Sequence, residues 1–300
     1  MNMRQSIPRK IFLIMNIVLI TIISLICVAP FINLLAISFS DKLSVVAGRV
    51  TFLPINFNTA AYGFILSNAA FGRAVIVSVQ RTLLGVAVNV VLIVLTAYPL
   101  SKSSKAFRAR NFFSWFFVIT ILFSGGLMPS YMMVKYTGLL DSIWALVLPG
   151  ALPVFSMLVV MNFMRSLPIE LEEAAYIDGA SHIQTLLWVI LPVSTPTIAT
   201  VTLFSFVGHW NSWFDGMIYM NKITNYPLQT YLRTVIVNPE VFFRNASSFN
   251  TSDITKYLSI INARTSNAAQ LFLATVPILC VYPFLQKYFT TGLVMGSVKG

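Results

Sequence analysis

The stretch Glu173-Ala174-Ala175-Tyr176-Ile177-Asp178-Gly179, followed after nine residues by Val189-Ile190-Leu191-Pro192, lies in a polar gap between two apolar runs. Just upstream, Ser166-Leu167-Pro168 is a helix-start signal, since proline suits a first helical turn and serine stands before it. Glu170, Glu172 and Glu173 then fall in the first turns, where the helix dipole favours acids. Leu171, Ala174, Ala175 and Ile177 include the three- and four-residue spacings that build one apolar face. Asp178-Gly179 is a breaker, and glycine tolerates the left-handed geometry that ends a helix. Ala180 to Trp188 can restart a second short helix, and Pro192 marks entry into the next apolar run. The segment 166–186 therefore reads as a helix–turn–helix elbow with an apolar knob and an acidic rim. A plain amphipathic elbow lying on a membrane is the alternative. The acidic rim argues against it, because anionic lipids repel glutamate and attract lysine and arginine.

Around this elbow the chain is far too apolar for a water-soluble domain. Of 300 residues, 57% are hydrophobic and 10% are charged, and the mean hydropathy is +0.80. Soluble domains carry about 25% charged residues, so these few charges cannot cover a soluble surface. The net charge of +11 is not a nucleic-acid signature. It forms no long basic run and interleaves with no stacking aromatics, so no nucleic-acid partner is expected. Cys27 and Cys280 stand inside apolar runs and read as small buried hydrophobes, with no disulfide framework or metal site.

A membrane-spanning helix needs about 20 mostly apolar residues. Six runs qualify: 11–38, 78–100, 112–134, 143–164, 186–210 and 269–289. The fold class predicted is an all-α membrane protein of six transmembrane helices, one domain over 1–300. The first run is too long for a secretory signal, whose apolar core spans about 7–15 residues. Lys102, Lys105, Arg108 and Arg110 crowd the 102–110 loop and assign it to the cytoplasm. Six spans then put both termini inside, matching Arg4, Arg9 and Lys10 at one end and Lys287 and Lys299 at the other. The same alternation puts 165–185 inside, and segments 40–72 and 211–268 outside. Membrane lipid is thus an obligatory partner.

Polar groups inside a membrane are costly and are candidates for function. Phe206, His209, Trp210, Asn211 and Trp213 cluster at the outer end of the fifth span. Aromatic faces with amide donors suit sugar rings, which are apolar on their faces and hydroxylated at their edges. An interfacial aromatic belt is the alternative. Asn89 and Asn162 are candidates for a solute path or for hydrogen bonds between helices. Pro149 and Pro153, Pro192 and Pro196, and Pro277 and Pro283 fall in the last three spans and are expected to bend them. Such breaks are tolerated where protein or a cavity satisfies the freed carbonyls.

The 173–192 stretch resembles the EAA loop of ABC-importer permeases, E-A-A-x3-G-x9-I-x-L-P, with Val189 in place of the isoleucine. The C-terminal Gln286-Lys287-Tyr288-Phe289, Gly292 and Gly296-Ser297-Val298-Lys299-Gly300 resemble the tail of carbohydrate importers, in particular the second permease of the maltose-type group and its complex-oligosaccharide subgroup. The resemblance implies a type I importer fold, a single permease domain over 1–300 with 166–186 as a cytoplasmic coupling helix. It implies partnership with a second permease, two ATPase subunits and an extracellular binding protein, in a bacterial plasma membrane. It also implies coupling roles for Glu172, Glu173, Ala174, Ala175, Asp178, Gly179, Leu191, Pro192, Lys299 and Gly300. Glu173 would contact the ATPase, Ala174 and Ala175 would pack into its groove, and Gly179 would make the turn. ATP and magnesium would sit on the partner ATPases, with no cofactor on this chain.

No G-x-x-x-x-G-K-[ST] phosphate loop is present, nor a legible catalytic triad, so catalytic and metal residues are expected to be none. The substrate-path candidates are Asn89, Asn162, Phe206, His209, Trp210, Asn211 and Trp213. The carbohydrate is read as an oligosaccharide. Open alternatives are a permease for a polyol or glycerophosphodiester, a secondary transporter, or a membrane enzyme. The predicted spans contain no Asp or Glu, which counts against ion coupling.

Overall fold

A computed structural model describes residues 7–237 and 262–297; along the last helix the side chains of Tyr282 and of residues after Pro283 fall outside the description. The described elements are all helical. In chain order they are α1 (Ile7–Ser38), α2 (Lys42–Val46), α3 (Ala60–Ser67), α4 (Ala69–Ser101), α5 (Arg110–Leu122), α6 (Leu127–Tyr136) and α7 (Ile143–Val147). Then come α8 (Val154–Ser166), α9 (Glu170–Ile177), α10 (His182–Thr185), α11 (Leu191–Asn211), α12 (Phe214–Tyr219), α13 (Leu228–Val237) and α14 (Ala263–Ser297).

Three described stretches are long and apolar enough to cross a membrane: α1, α4 and the continuous run His182–Asn211. Two bent pairs meet the same test if each counts as one span, which makes up to five. The expected third span, 112–134, is not straight. It divides into α5 and α6, bent by 116°. The cause is local: Ser124-Gly125-Gly126 interrupts the run, and Gly126 holds φ +82°, a left-handed value that a side chain disfavours. The expected fourth span bends by 48° between α7 and α8, where Pro149 and Pro153 remove backbone donors. The expected fifth span begins earlier than 186, with α10 and a π-helical turn, Leu186–Ile190, leading into α11. That turn immediately precedes Pro192, whose missing N–H leaves the Trp188 carbonyl without its α-helical donor. The expected sixth span lies on α14.

The chain forms two compact units. The first comprises residues 1–69 and 235–276. Its core gathers Ala36, Ile37, Val45, Val50 and Ala268. Asp41 caps α2 by accepting from the N–H groups of Leu43 and Ser44, at 3.1 and 3.2 Å. Most of α1 is exposed despite being apolar, with Ile14, Met15 and Ile17 each more than 60% exposed, a surface suited to lipid rather than water.

The second unit comprises residues 70–234 and 277–300. Ile93 and Ala97 of α4, Met157 and Val160 of α8, and Leu186, Ile190 and Val201 from the run into α11 form its main core. A smaller cluster joins Val134, Ala145, Leu146, Tyr219 and Met220. Cys27 and Cys280 are unpaired and exposed on the single chain, not buried as expected, because apolar helices of a membrane protein turn small hydrophobes outward too. The expected outer segment 211–268 is partly helical, carrying α12 and α13, while residues 238–261 lie outside the described residues.

Candidate functional site: a coupling elbow and a polar cavity

The elbow forms where the sequence places it. α9 starts at Glu170, with Glu170, Glu172 and Glu173 in its first turn. It ends in a Schellman turn: Gly179, at φ +81°, donates to the Tyr176 carbonyl at 3.0 Å, and Ala180 donates to the Ala175 carbonyl at 2.9 Å. The second helix opens with a capping box. Ser181 N–H donates to Gln184 Oε1 at 2.8 Å, and Gln184 N–H donates to Ser181 Oγ at 3.4 Å.

The two faces of α9 differ from the expected apolar face. Glu170, Glu173, Ala174 and Ile177, spaced at i, i+3, i+4 and i+7, are exposed, Ile177 at 86%. Ala175 is 8% exposed and packs inward on its own chain. The alanine pair is therefore split by the 100° step of the helix, and only Ala174 shares the outward face with Glu173. Asp178 and Gly179 are exposed beside them, Leu191 packs against the main core, and Pro192 is exposed. Lys299 and Gly300 lie outside the described residues.

Glu172 also points inward, forming an ion pair with Lys102 at the end of α4. The Lys102 ammonium lies 3.8 Å from the centre of the Tyr98 ring. Burial lowers the Lys102 pKa, and the bond to Glu172 only partly offsets it. Tyr98 and Tyr176 bring their hydroxyls to 3.5 Å, and the Tyr176 hydroxyl lies 2.8 Å from His182 Nδ1. Arg165 donates to the Leu100 carbonyl at 3.3 Å, tying α8 to the same end of α4. These side chains line a cavity of about 730 Å3 behind the elbow. In the sequence Lys102 reads only as a topological charge. The available signal was its place four residues after Tyr98, one helical turn, at the mouth of a span.

Farther along the second unit lies a polar cluster. Arg81, Gly85 and Asn89 follow at four-residue steps on one face of α4. Arg81, 2% exposed, forms a two-pronged ion pair with Asp215 and donates to the Ser212 carbonyl at 3.1 Å. Asp215 also accepts from the Ser212 hydroxyl at 2.8 Å and the Gly216 N–H at 2.9 Å. His209 rests against Gly85, where a β-carbon would stand 2.4 Å from His209 Nε2. With its oxygen turned to His209 Nε2 at 3.2 Å, the Asn89 amide donates to the carbonyls of Gly85 and Ala151, both at 3.1 Å. Asn89 thus bonds across three predicted spans. A cavity of about 470 Å3 opens between these groups and the Pro149–Pro153 break.

Of the predicted path residues, the structure brings Asn89 and His209 together on this cavity. Asn162 lies on an exposed face of α8. Phe206 stacks parallel to Trp210, ring centres 6.3 Å apart, and Trp210 is buried. Asn211 is exposed, and Trp213 lies under the Arg233 guanidinium at 5.2 Å. Neither Arg81 nor Asp215 carries a local signal in the sequence, since Arg81 stands near the start of the second run and Asp215 lies past the fifth.

Long apolar helices, helices broken at glycine and proline, and an exposed elbow on an otherwise lipid-compatible chain define a multi-pass membrane permease. No protein-family model matches the chain. It is 38% identical over 277 residues to the polygalacturonan/rhamnogalacturonan transport system permease protein YtcP of Bacillus subtilis strain 168, covering 92% of this chain and 94% of that one. It is 36% identical over 299 residues to protein LplC of the same organism, covering 100% and 98%. Its fold matches a chain from the crystal structure of a bacterial ABC transporter that imports the acidic polysaccharide alginate, with TM-score 0.84, 30% identity, and 96% and 100% coverage. The chain belongs to the family of ABC-transporter permeases. It is a transport subunit, not an enzyme.

Proposed function

We propose that this chain is one of two permease subunits of an ATP-driven importer for a carbohydrate, most simply an oligosaccharide. An extracellular binding protein delivers the sugar, and two separate ATPase subunits hold ATP and magnesium. The carbohydrate reading draws support from the relatives, one named for polygalacturonan and rhamnogalacturonan and one an alginate importer, and from the tail at Gln286 to Gly300. The chain acts as one permease domain over 1–300 with six spans, the sixth on α14, and with both termini and the elbow in the cytoplasm. In support, the Lys102–Glu172 pair brings the start of the basic 102–110 loop beside the elbow.

The observation that carries the coupling role is the outward face of α9, where Glu173, Ala174 and Ile177 are exposed together on a helix closed by the turn at Gly179. An apolar tip with an acidic rim suits a groove on another protein. Closure of the ATPase dimer pushes that tip, and the Lys102–Glu172 and Tyr98–Tyr176 contacts pass the push to α4. Alternating access follows as a shift between two arrangements of packed helices.

The test is sugar-stimulated ATPase activity of the complex co-purified with partner permease, ATPase and binding protein. Stimulation by one sugar class, lost in Glu173→Ala and Gly179→Pro, is expected. An assembled complex that ignores every sugar overturns the carbohydrate reading, and failure to assemble with any ATPase overturns the coupling role.

A further inference from the structure

The cavity beside Arg81 is walled by buried polar groups. Arg81, Asn89, Ser156, Ser205 and Tyr219 are each less than 9% exposed and all line it. Polar groups are costly to bury and are kept where something uses them. One wall is the break between α7 and α8, and irregular backbone at membrane depth is found where it lines a cavity. Broken helices recur at the solute sites of transporters. Phe204, 49% exposed, supplies an aromatic face at the open side. At about 470 Å3 the space sits in the lower part of the range for small-molecule sites, about 300–1,000 Å3. It holds a ring or a short piece of chain, not a polymer.

The charges narrow the ligand further. The two fully charged side chains on the wall are Arg81 and Asp215, and they neutralise one another in direct contact. An incoming carboxylate would have to compete with Asp215 for the guanidinium while facing its negative charge. Hydroxyls meet no such conflict: Ser156, Ser205 and Tyr219 both donate and accept. Asn89 is already committed to Gly85, Ala151 and His209 and holds the wall in place.

We infer that this cavity is a subsite in this subunit for an uncharged, hydroxyl-rich sugar ring of the transported chain. The inference rests on the carbohydrate reading above.

Two glycines allow a clean test. Gly150 and Gly208 line the cavity, neither has a positive φ, and a β-carbon on either meets nothing within 4 Å. A side chain at either position therefore starts in open space, and Gly150→Leu and Gly208→Leu are the filling variants. Gly72→Leu, equally open but away from the cavity, is the control. The full complex with its binding protein is assayed for stimulated ATPase activity. The probes are neutral galacto-, gluco- and xylo-oligosaccharides, and uronate-bearing oligogalacturonates and alginate oligosaccharides. Expected is stimulation of the wild type by a neutral series that falls to the basal rate in both cavity variants and survives in Gly72→Leu. Retained neutral stimulation in the cavity variants overturns the subsite. A wild type driven only by the uronate series overturns the uncharged class. A wild type driven by no sugar means that the carbohydrate reading itself has failed, and the subsite with it.

Discussion

Lys102 and Glu172 form an ion pair that joins the end of α4 to the first turn of α9. Both side chains are largely buried, at 15% and 19% exposure. The pair converts the elbow from an appendage on a loop into an extension of a spanning helix. Removing one partner is expected to cost about 1–3 kcal/mol, as for a hydrogen bond to a charged group left unmade. Lys102→Glu or Glu172→Lys alone should keep basal ATPase activity in the complex but lower solute transported per ATP. The swapped double variant should recover it. Equal loss in single and double variants would sink the strut.

Gly179 ends α9 at φ +81° with open space around it. Any effect of substitution there is backbone strain, not crowding. Gly179→Ala is expected to cost about 1–2 kcal/mol, the left-handed penalty for a β-carbon. Gly179→Asn should cost less, since asparagine tolerates that region. Gly179→Pro requires φ near −65° and should abolish coupling. Transport assays on the three variants should rank Asn above Ala above Pro.

Arg81 depends on Asp215, and the guanidinium is nearly sealed from solvent. Asp215→Ala is expected to destabilise by about 3–5 kcal/mol, because a buried charge is left without its partner. Arg81→Lys should not substitute well, since an ammonium lacks the two-pronged geometry. The double variant Arg81→Met with Asp215→Leu should recover most of the loss. Thermal unfolding in detergent checks all three.

Asp141 stands at φ +61° and accepts from the Asn225 side chain at 3.0 Å and from the N–H groups of Asn221 and Lys222 at 3.2 and 3.4 Å. Burial pushes its carboxyl up, but the bonds from Asn225, Lys222 and Asn221 outweigh it and hold the pKa below the ordinary value. A carboxylate depressed in the folded state adds stability that is complete above its unfolded pKa, about 3.9, and is lost as pH falls through the folded value. Wild type should therefore unfold at a higher temperature than Asp141→Asn at neutral pH. The gap should narrow below about pH 4. A gap independent of pH would contradict the role given to the charge.

Much of the elbow was legible because it obeys local rules. Helix start and breaker at Pro168 and Gly179, and a restart from Ala180, are written in neighbouring residues, and each governs only its own turn. Asn89 and His209 were legible as costly polar groups in apolar runs. Nothing local distinguishes Glu172, which pairs with Lys102, from the outward Glu173. The 116° bend between α5 and α6 was passed over because mean apolarity hides one left-handed glycine.

By itself, the sequence determined that this is a membrane protein with a helical elbow between two apolar runs, because hydrophobic length and helix-cap chemistry act over neighbouring residues. Only the tertiary structure decided which side chains meet. Lys102 finds Glu172 across 70 residues, and Arg81 finds Asp215 across 134. Such pairs depend on how separate helices rotate and pack, and that geometry has no period in the sequence to announce it.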